Sequence, residues 1–172
     1  MVQDKAVIFD DKRTLTTLAV GNAIATNGST QCYDTSPPGV PNPIGPAGGA
    51  IGGPLLHDIG RGVRLRLFVQ VTTTATSGGA ATLVVAFVCA DVTTTNPDTC
   101  DLSVNTTILL LSDVIPLATL VQGYRFRFSS TPGVVPRRFV GIQYTVATAV
   151  FTAGNISAML QMDADDHHDT LG

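Results

Sequence analysis

Between Val63 and Thr73 every second residue is apolar: Val63, Leu65, Leu67, Val69 and Val71 share one face, and Arg64, Arg66, Phe68, Gln70 and Thr72 share the other. A period of two belongs to a strand that buries one face. Ser77-Gly78-Gly79 supplies a turn, and Ala81 to Ala90 follows as a strand that is apolar on both faces, hence central and covered on both sides. The two strands are either antiparallel neighbours or joined by a short crossover between sheets. Asp91 to Asp101 is polar around Asn96-Pro97-Asp98 and reads as a loop, and Val104 to Leu111 is the next strand. Pro116 interrupts the segment after it. Gly123 to Phe128 then alternates aromatics with Arg125 and Arg127, an edge-like strand with one apolar face.

Thr131-Pro132-Gly133 turns the chain, Arg137 to Thr148 is another strand, Thr152 to Asn155 is read as a turn, and Ile156 to Met162 is the last strand. At the other terminus, Ala6 to Phe9 is a short apolar run ending in Asp10-Asp11-Lys12, and residues 14 to 26 carry a weak strand pattern. Cys32 to Pro54 differs from everything around it, with Pro37, Pro38, Pro41, Pro43, Pro46 and Pro54 set among glycines. Proline lacks a ladder donor and glycine loses most entropy on ordering, so this stretch is predicted as a long loop. The sum is an all-β chain: a two-sheet, jelly-roll-like sandwich of about eight antiparallel strands with a long Pro/Gly-rich loop. One domain is expected, with an N-terminal arm and first strand over 1–26, the loop over 27–56, the main sandwich over 57–162 and an acidic tail over 163–172.

Composition supports this reading. Only 13% of residues are charged, about half the usual 25%, and threonine runs such as Thr72-Thr73-Thr74 and Thr93-Thr94-Thr95 take the place of charge on the surface. Threonine is β-branched and suits a pleated, half-exposed face. Glutamate and tryptophan are absent and lysine is scarce, leaving little material for amphipathic helices. The net charge of -3, with basic residues spread rather than clustered, argues against nucleic acid as a partner. No stretch reaches the roughly 20 apolar residues of a membrane span, so no membrane partner is expected. The N-terminal Met1-Val2-Gln3-Asp4-Lys5 lacks the parts of a secretory signal, and synthesis in a cytoplasm is the expectation.

Candidate chemistry is sparse. His167 and His168 with Asp163, Asp165, Asp166 and Asp169 offer metal-competent groups, but adjacent histidines in an extended tail point apart, and a solvated tail is the preferred reading. His57 sits beside a turn without a partner pattern. Asp10 and Asp11 are adjacent and diverge, which disfavours paired acid-base work. The glycine pairs Gly48-Gly49 and Gly52-Gly53 lack the following Lys-Ser/Thr of a phosphate loop. No catalytic, cofactor-binding or metal residue is assigned, no cofactor is expected, and the chain is read as a non-enzyme. Cys89 and Cys100 flank the polar loop and are either a disulfide that closes it or two reduced, packed thiols, and a bridge would leave Cys32 over. The pairs Arg64/Arg66 and Arg125/Arg127 each project from one face, either to meet acidic partner residues or to guard edge strands.

Several segments carry a resemblance. Arg138 to Thr148 followed by Phe151 to Ala158 resembles the C-terminal hairpin of the capsid cement proteins of Bordetella-phage-type podoviruses. Ile8 to Lys12 with Leu15-Thr16 is similar to that family's N-terminal segment, Asp58 to Gly62 to its lead-in to the central strands, Gly78 to Leu83 to its next hairpin, and Leu120 to Phe126 to the segment before the last hairpin. The insert from Cys32 to Pro54 and the tail from Asp163 to Gly172 depart from the pattern. The resemblance implies a jelly roll on the outer capsid surface of a virion, forming homo-oligomers, dimers first among them, that bridge neighbouring major capsid protein subunits. A carbohydrate-binding jelly roll of a phage fibre or surface protein is the alternative; the lack of tryptophan and the presence of only three tyrosines count against it.

Overall fold

The computed structural model describes residues 8–21, 27–30, 32–34, 65–90, 102, 106–130 and 139–162. Nine strands run in these residues: β1 (Ile8–Thr14), β2 (Tyr33–Asp34), β3 (Leu65–Ser77), β4 (Thr82–Ala90), β5 (Thr107–Ser112), β6 (Ile115–Pro116), β7 (Phe128–Ser130), β8 (Phe139–Ala147) and β9 (Phe151–Met162). Two single 3-10 turns, Leu15–Thr17 and Leu117–Thr119, join strands at corners. The strands form two antiparallel sheets, a smaller one in the order β1-β9-β3 and a larger one in the order β2-β8-β4-β5-β7, with β6 on β4. The first strand thus lies beside the last and the second beside the eighth, the interleaving of a jelly-roll sandwich.

Alternation decides what lies between the sheets. Val69, Val71 and Ala75 of β3, Leu83, Val85 and Cys89 of β4, Val140, Ile142, Tyr144 and Val146 of β8, and Phe151, Ile156, Ala158 and Leu160 of β9 form the main core. Phe9 from β1 joins it and meets the Phe87 ring edge-on at 5.7 Å. The predicted two-sided burial of Ala81 to Ala90 is found. The opposite parity of β4, Ala86, Val88 and Ala90, packs on the outer face with Cys32, Leu102 and Phe139 as a second cluster. β4 is central, between β8 and β5, as a strand covered on both faces must be.

Of the two arrangements expected at the Gly78-Gly79 turn, the structure has the crossover: β3 and β4 are not neighbours, and the chain passes there from one sheet to the other. Likewise β8 and β9 lie in different sheets, joined around Thr148, so the segment read as a C-terminal hairpin is a crossover. Thr152 to Asn155 is not a turn but lies inside β9, where Gly154 holds φ +120° and the pairing with β3 shifts register. An irregularity that bends a strand looks like a turn in sequence, because both use a glycine at positive φ. Within the predicted 27–56 loop, residues 27–30 and 32–34 are bonded structure, including β2; residues 35–56 lie outside those described.

Among the described residues, further chain pairs with β3 and with β8 on their outer sides. Beyond β3, Phe126 donates its N–H to the Val69 carbonyl (3.0 Å), Val71 donates to Tyr124 (2.9 Å) and Ala75 to Leu120 (2.9 Å), and the same chain then enters β7 at the edge of the other sheet. On the far side, Gly21, Gly28, Ser29 and the two residues of β2 meet β8. Pairing of this kind shortens the rows of unpaired backbone groups that invite unwanted strand addition.

Candidate interaction surface

Adjacent residues on a strand diverge, and Asp10 and Asp11 do: Asp11 is exposed and Asp10 fully buried. Asp10 Oδ2 accepts from the Tyr144 hydroxyl at 2.8 Å. Its Oδ1 accepts from the Thr30 amide at 2.9 Å and the Thr30 hydroxyl at 2.8 Å. The Arg13 guanidinium lies 3.8 Å from Oδ1 and 5.3 Å from the centre of the Tyr144 ring, and Arg13 Nη1 also donates to the Gly28 carbonyl. Burial pushes the Asp10 carboxyl above its ordinary 3.8, with the Thr30 and Tyr144 donors and Arg13 pulling the other way. Burial first, then the neighbouring Asp10 charge, drives the Tyr144 hydroxyl well above its ordinary 10.0. The cluster ties β1, residues 28–30 and β8 together from inside. Sequence reasoning found no partner for Asp10. Tyr144 was the missed signal, since a phenol on the apolar parity of a strand needs a polar contact.

Cys89 sits on the inward parity of β4 as a buried thiol in the main core. Of the two readings of Cys89 and Cys100, the bridge is therefore not formed at Cys89, whose side chain points between the sheets; Cys100 itself lies outside the described residues. Among the described residues it is Cys32, which the Cys89–Cys100 pairing would have left over, that is disulfide-bonded. All three histidines and the acidic tail from Asp163 also lie outside the described residues, as does Arg64, while Arg66 is described only as part of the β3 backbone. Among the described residues no cluster of three metal-competent side chains occurs.

Arg125 and Arg127 are exposed, as their parity predicts, while Tyr124 and Phe126 turn toward the core and meet edge-on at 5.2 Å. The Arg125 guanidinium stacks over Phe68 at 5.0 Å, which holds an extended cation flat on the outside of β3.

The surface feature with most reach is apolar. Among the described residues the exposed large hydrophobics are Val20 (53%), Val114 (64%), Val121 (48%) and Val150 (52%), with Ile108 and Leu111 on β5. The valines come from separate connections that gather at one end of the sandwich. Val20 bridges Val146, Val146 pairs with Leu83, and Leu83 pairs with Ile115, the residue after Val114. The Val150 carbonyl accepts from the Ser77 hydroxyl at 2.7 Å beside the Gly78-Gly79 turn. Val121 follows Leu120, which is bonded to Ala75 near the same end of β3. Ile108 and Leu111 instead stand on the outer face of the larger sheet, opposite Val88 and Ala86. Exposed apolar side chains grouped on loops of a rigid scaffold mark contact surfaces.

No helix among the described residues is long and apolar enough to cross a membrane. In comparison with known proteins, no curated protein matches the chain. The family model named Bbp16 matches residues 52–160, well over half of the chain. That match spans β3 to β8 and nearly all of β9, and with them most of both sheets. The chain therefore belongs to the Bbp16 family, a Bordetella phage protein family.

Proposed function

We propose that this protein is a capsid cement protein, a non-enzymatic component bound to the outer surface of an assembled phage head. It bridges neighbouring major capsid protein subunits as a homo-oligomer. The observation that carries the proposal is the apolar loop end, where Val20, Val114, Val121 and Val150 stand exposed on separate connections of the sandwich. Membership of a phage family and the low charge content agree with it. A rigid body with a preformed apolar contact loses little conformational entropy on binding. In an oligomer each contact can be weak, because engagement at a second site is governed by effective concentration. Such a protein binds assembled shells in preference to isolated subunits and resists the outward pressure of packaged DNA across subunit joints.

The test is a thermal release assay on virions. Particles stripped of the protein are expected to release DNA at a lower temperature than complete ones, and re-addition of the purified protein to restore the release temperature. Equal release temperatures for stripped and complete particles would overturn the proposal, as would density for the chain on the inner side of the shell.

A further inference from the structure

Strand β8 is paired with β4 along one side. Along its other side, among the described residues, it is met by the N-terminal stretch in pieces. Gly21 and Val146 exchange backbone hydrogen bonds of 2.7 and 3.0 Å. Ser29 donates its N–H to the Ile142 carbonyl at 2.7 Å and receives the Ile142 N–H on its hydroxyl at 3.0 Å. Tyr33 and Asp34 lie opposite Val140 and Phe139. The Asn27 side chain folds the stretch back on itself, accepting from the Ala19 amide (2.9 Å) and donating to the Ala19 and Gly21 carbonyls (2.8 and 2.9 Å).

Two anchors of different chemistry hold residues 27–30 and 32–34 down. Thr30 is bonded to the buried Asp10 carboxylate on the inner side. Two residues further on, Cys32 is disulfide-bonded and 6% exposed, and it packs in the outer-face cluster with Ala86, Val88, Ala90, Leu102 and Phe139. Gly141 of β8 makes room for this. A Cβ there would stand 3.4 Å from Cys32 Cβ and 3.0 Å from Ser29 Oγ, and would collide with the Leu102 side chain. β2 contributes only two residues of pairing. A two-residue strand has little holding power of its own, so its position depends on the covalent anchor beside it.

We propose that residues 27–30 and 32–34 form a redox-sensitive strap. With the Cys32 disulfide formed, the strap seals the β8 edge; with it reduced, the strap detaches from Cys32 onward and the adjoining end of β8 opens while the sandwich stays folded. Reduction breaks the S–S bond by addition of two electrons and two protons, yielding two thiols. The donor is a thiol, of the kind that keeps cytosolic cysteines reduced, or an added phosphine. The outer-face cluster is separate from the main core, and the Thr30–Asp10 anchor does not involve sulfur, so the change is local.

The experiment is hydrogen exchange with peptide mass readout on the purified full chain, oxidised and phosphine-reduced. Complete reduction is confirmed by a two-proton gain in intact mass, after unfolding and refolding in reductant if needed. Peptides covering Tyr33–Asp34 and Phe139–Ile142 are expected to exchange about 30-fold faster or more in the reduced protein, with β3 and β9 peptides unchanged. Cys32→Ser is expected to reproduce this pattern without reductant; if that variant fails to fold, the reduced native chain carries the test. Unchanged exchange at Phe139–Ile142 after full reduction overturns the proposal. Equal acceleration of β3 and β9 overturns it too, because the disulfide would then act on global stability rather than on the strap.

Discussion

Replacing Tyr144 with phenylalanine keeps the ring in the core and removes one atom that matters. The hydroxyl donates to Asp10 Oδ2 at 2.8 Å, and both residues are fully buried. The Thr30 amide and hydroxyl bond the other carboxylate oxygen, Oδ1. Tyr144→Phe therefore takes from Oδ2 the donor that faces it, in a site with no exposed surface. A hydrogen bond to a charged group contributes about 1.5–3 kcal/mol, and because the ring is retained almost no cavity term is added. The variant is expected to lose about 2 kcal/mol of stability, measured by urea unfolding at neutral pH followed by far-UV circular dichroism and extrapolated linearly. A double-mutant cycle with Asp10→Asn isolates the pair, with a coupling of about 1–2 kcal/mol expected for residues in direct contact. If Tyr144→Phe shifts stability by less than about 0.5 kcal/mol, the size of an ordinary surface change, or if the two substitutions add, the Asp10–Tyr144 tie does not hold β1 to β8.

The same site predicts a pH dependence. The folded Asp10 carboxyl lies above its ordinary 3.8, so it binds its proton more readily in the folded chain than in the unfolded one. Its contribution is then most favourable below 3.8, declines as pH rises through the raised folded value, and is constant above it. The stability difference between the native protein and Asp10→Asn should move in favour of the native protein on acidification, as read from paired urea curves; movement the other way refutes the assigned direction. Gly154→Ala combines a φ of +120° with a Cβ only 2.8 Å from Ala75 Cα, and is expected to cost about 2–5 kcal/mol, seen as a lowered urea midpoint; a change below about 1 kcal/mol would mean that β3 and β9 shift apart easily. Val114→Asp and Val150→Asp, at exposed positions, should leave stability within about 0.5 kcal/mol yet weaken binding to shells lacking the protein in a sedimentation assay; full retention of binding by both would remove the loop end as the contact.

What could be read from the chain itself were the features that depend on near neighbours. The alternation of Leu67, Val69 and Val71 determines a strand with one buried face, and the unbroken apolar run of Leu83 to Ala90 determines a strand buried on both, because side chains alternate across any extended backbone. The aromatic face of Tyr124 and Phe126 and the exposed one of Arg125 and Arg127 arise from the same parity. Pairing is not contained in it. That β9 lies between β1 and β3, and that β3 and β4, like β8 and β9, fall in different sheets, depends on contacts between residues far apart along the chain, for which a period of two carries no address. Gly154 shows the limit locally: Thr152 to Asn155 reads as a turn, but whether the chain turned or merely bent depended on β3 lying alongside. The environment of Asp10 and the choice of Cys32 over Cys89 as the half-cystine were likewise decided in three dimensions. An isolated carboxylate or thiol acquires its chemistry from what the fold brings against it: here Tyr144 from the opposite sheet, and for Cys89 the closed interior between the two sheets.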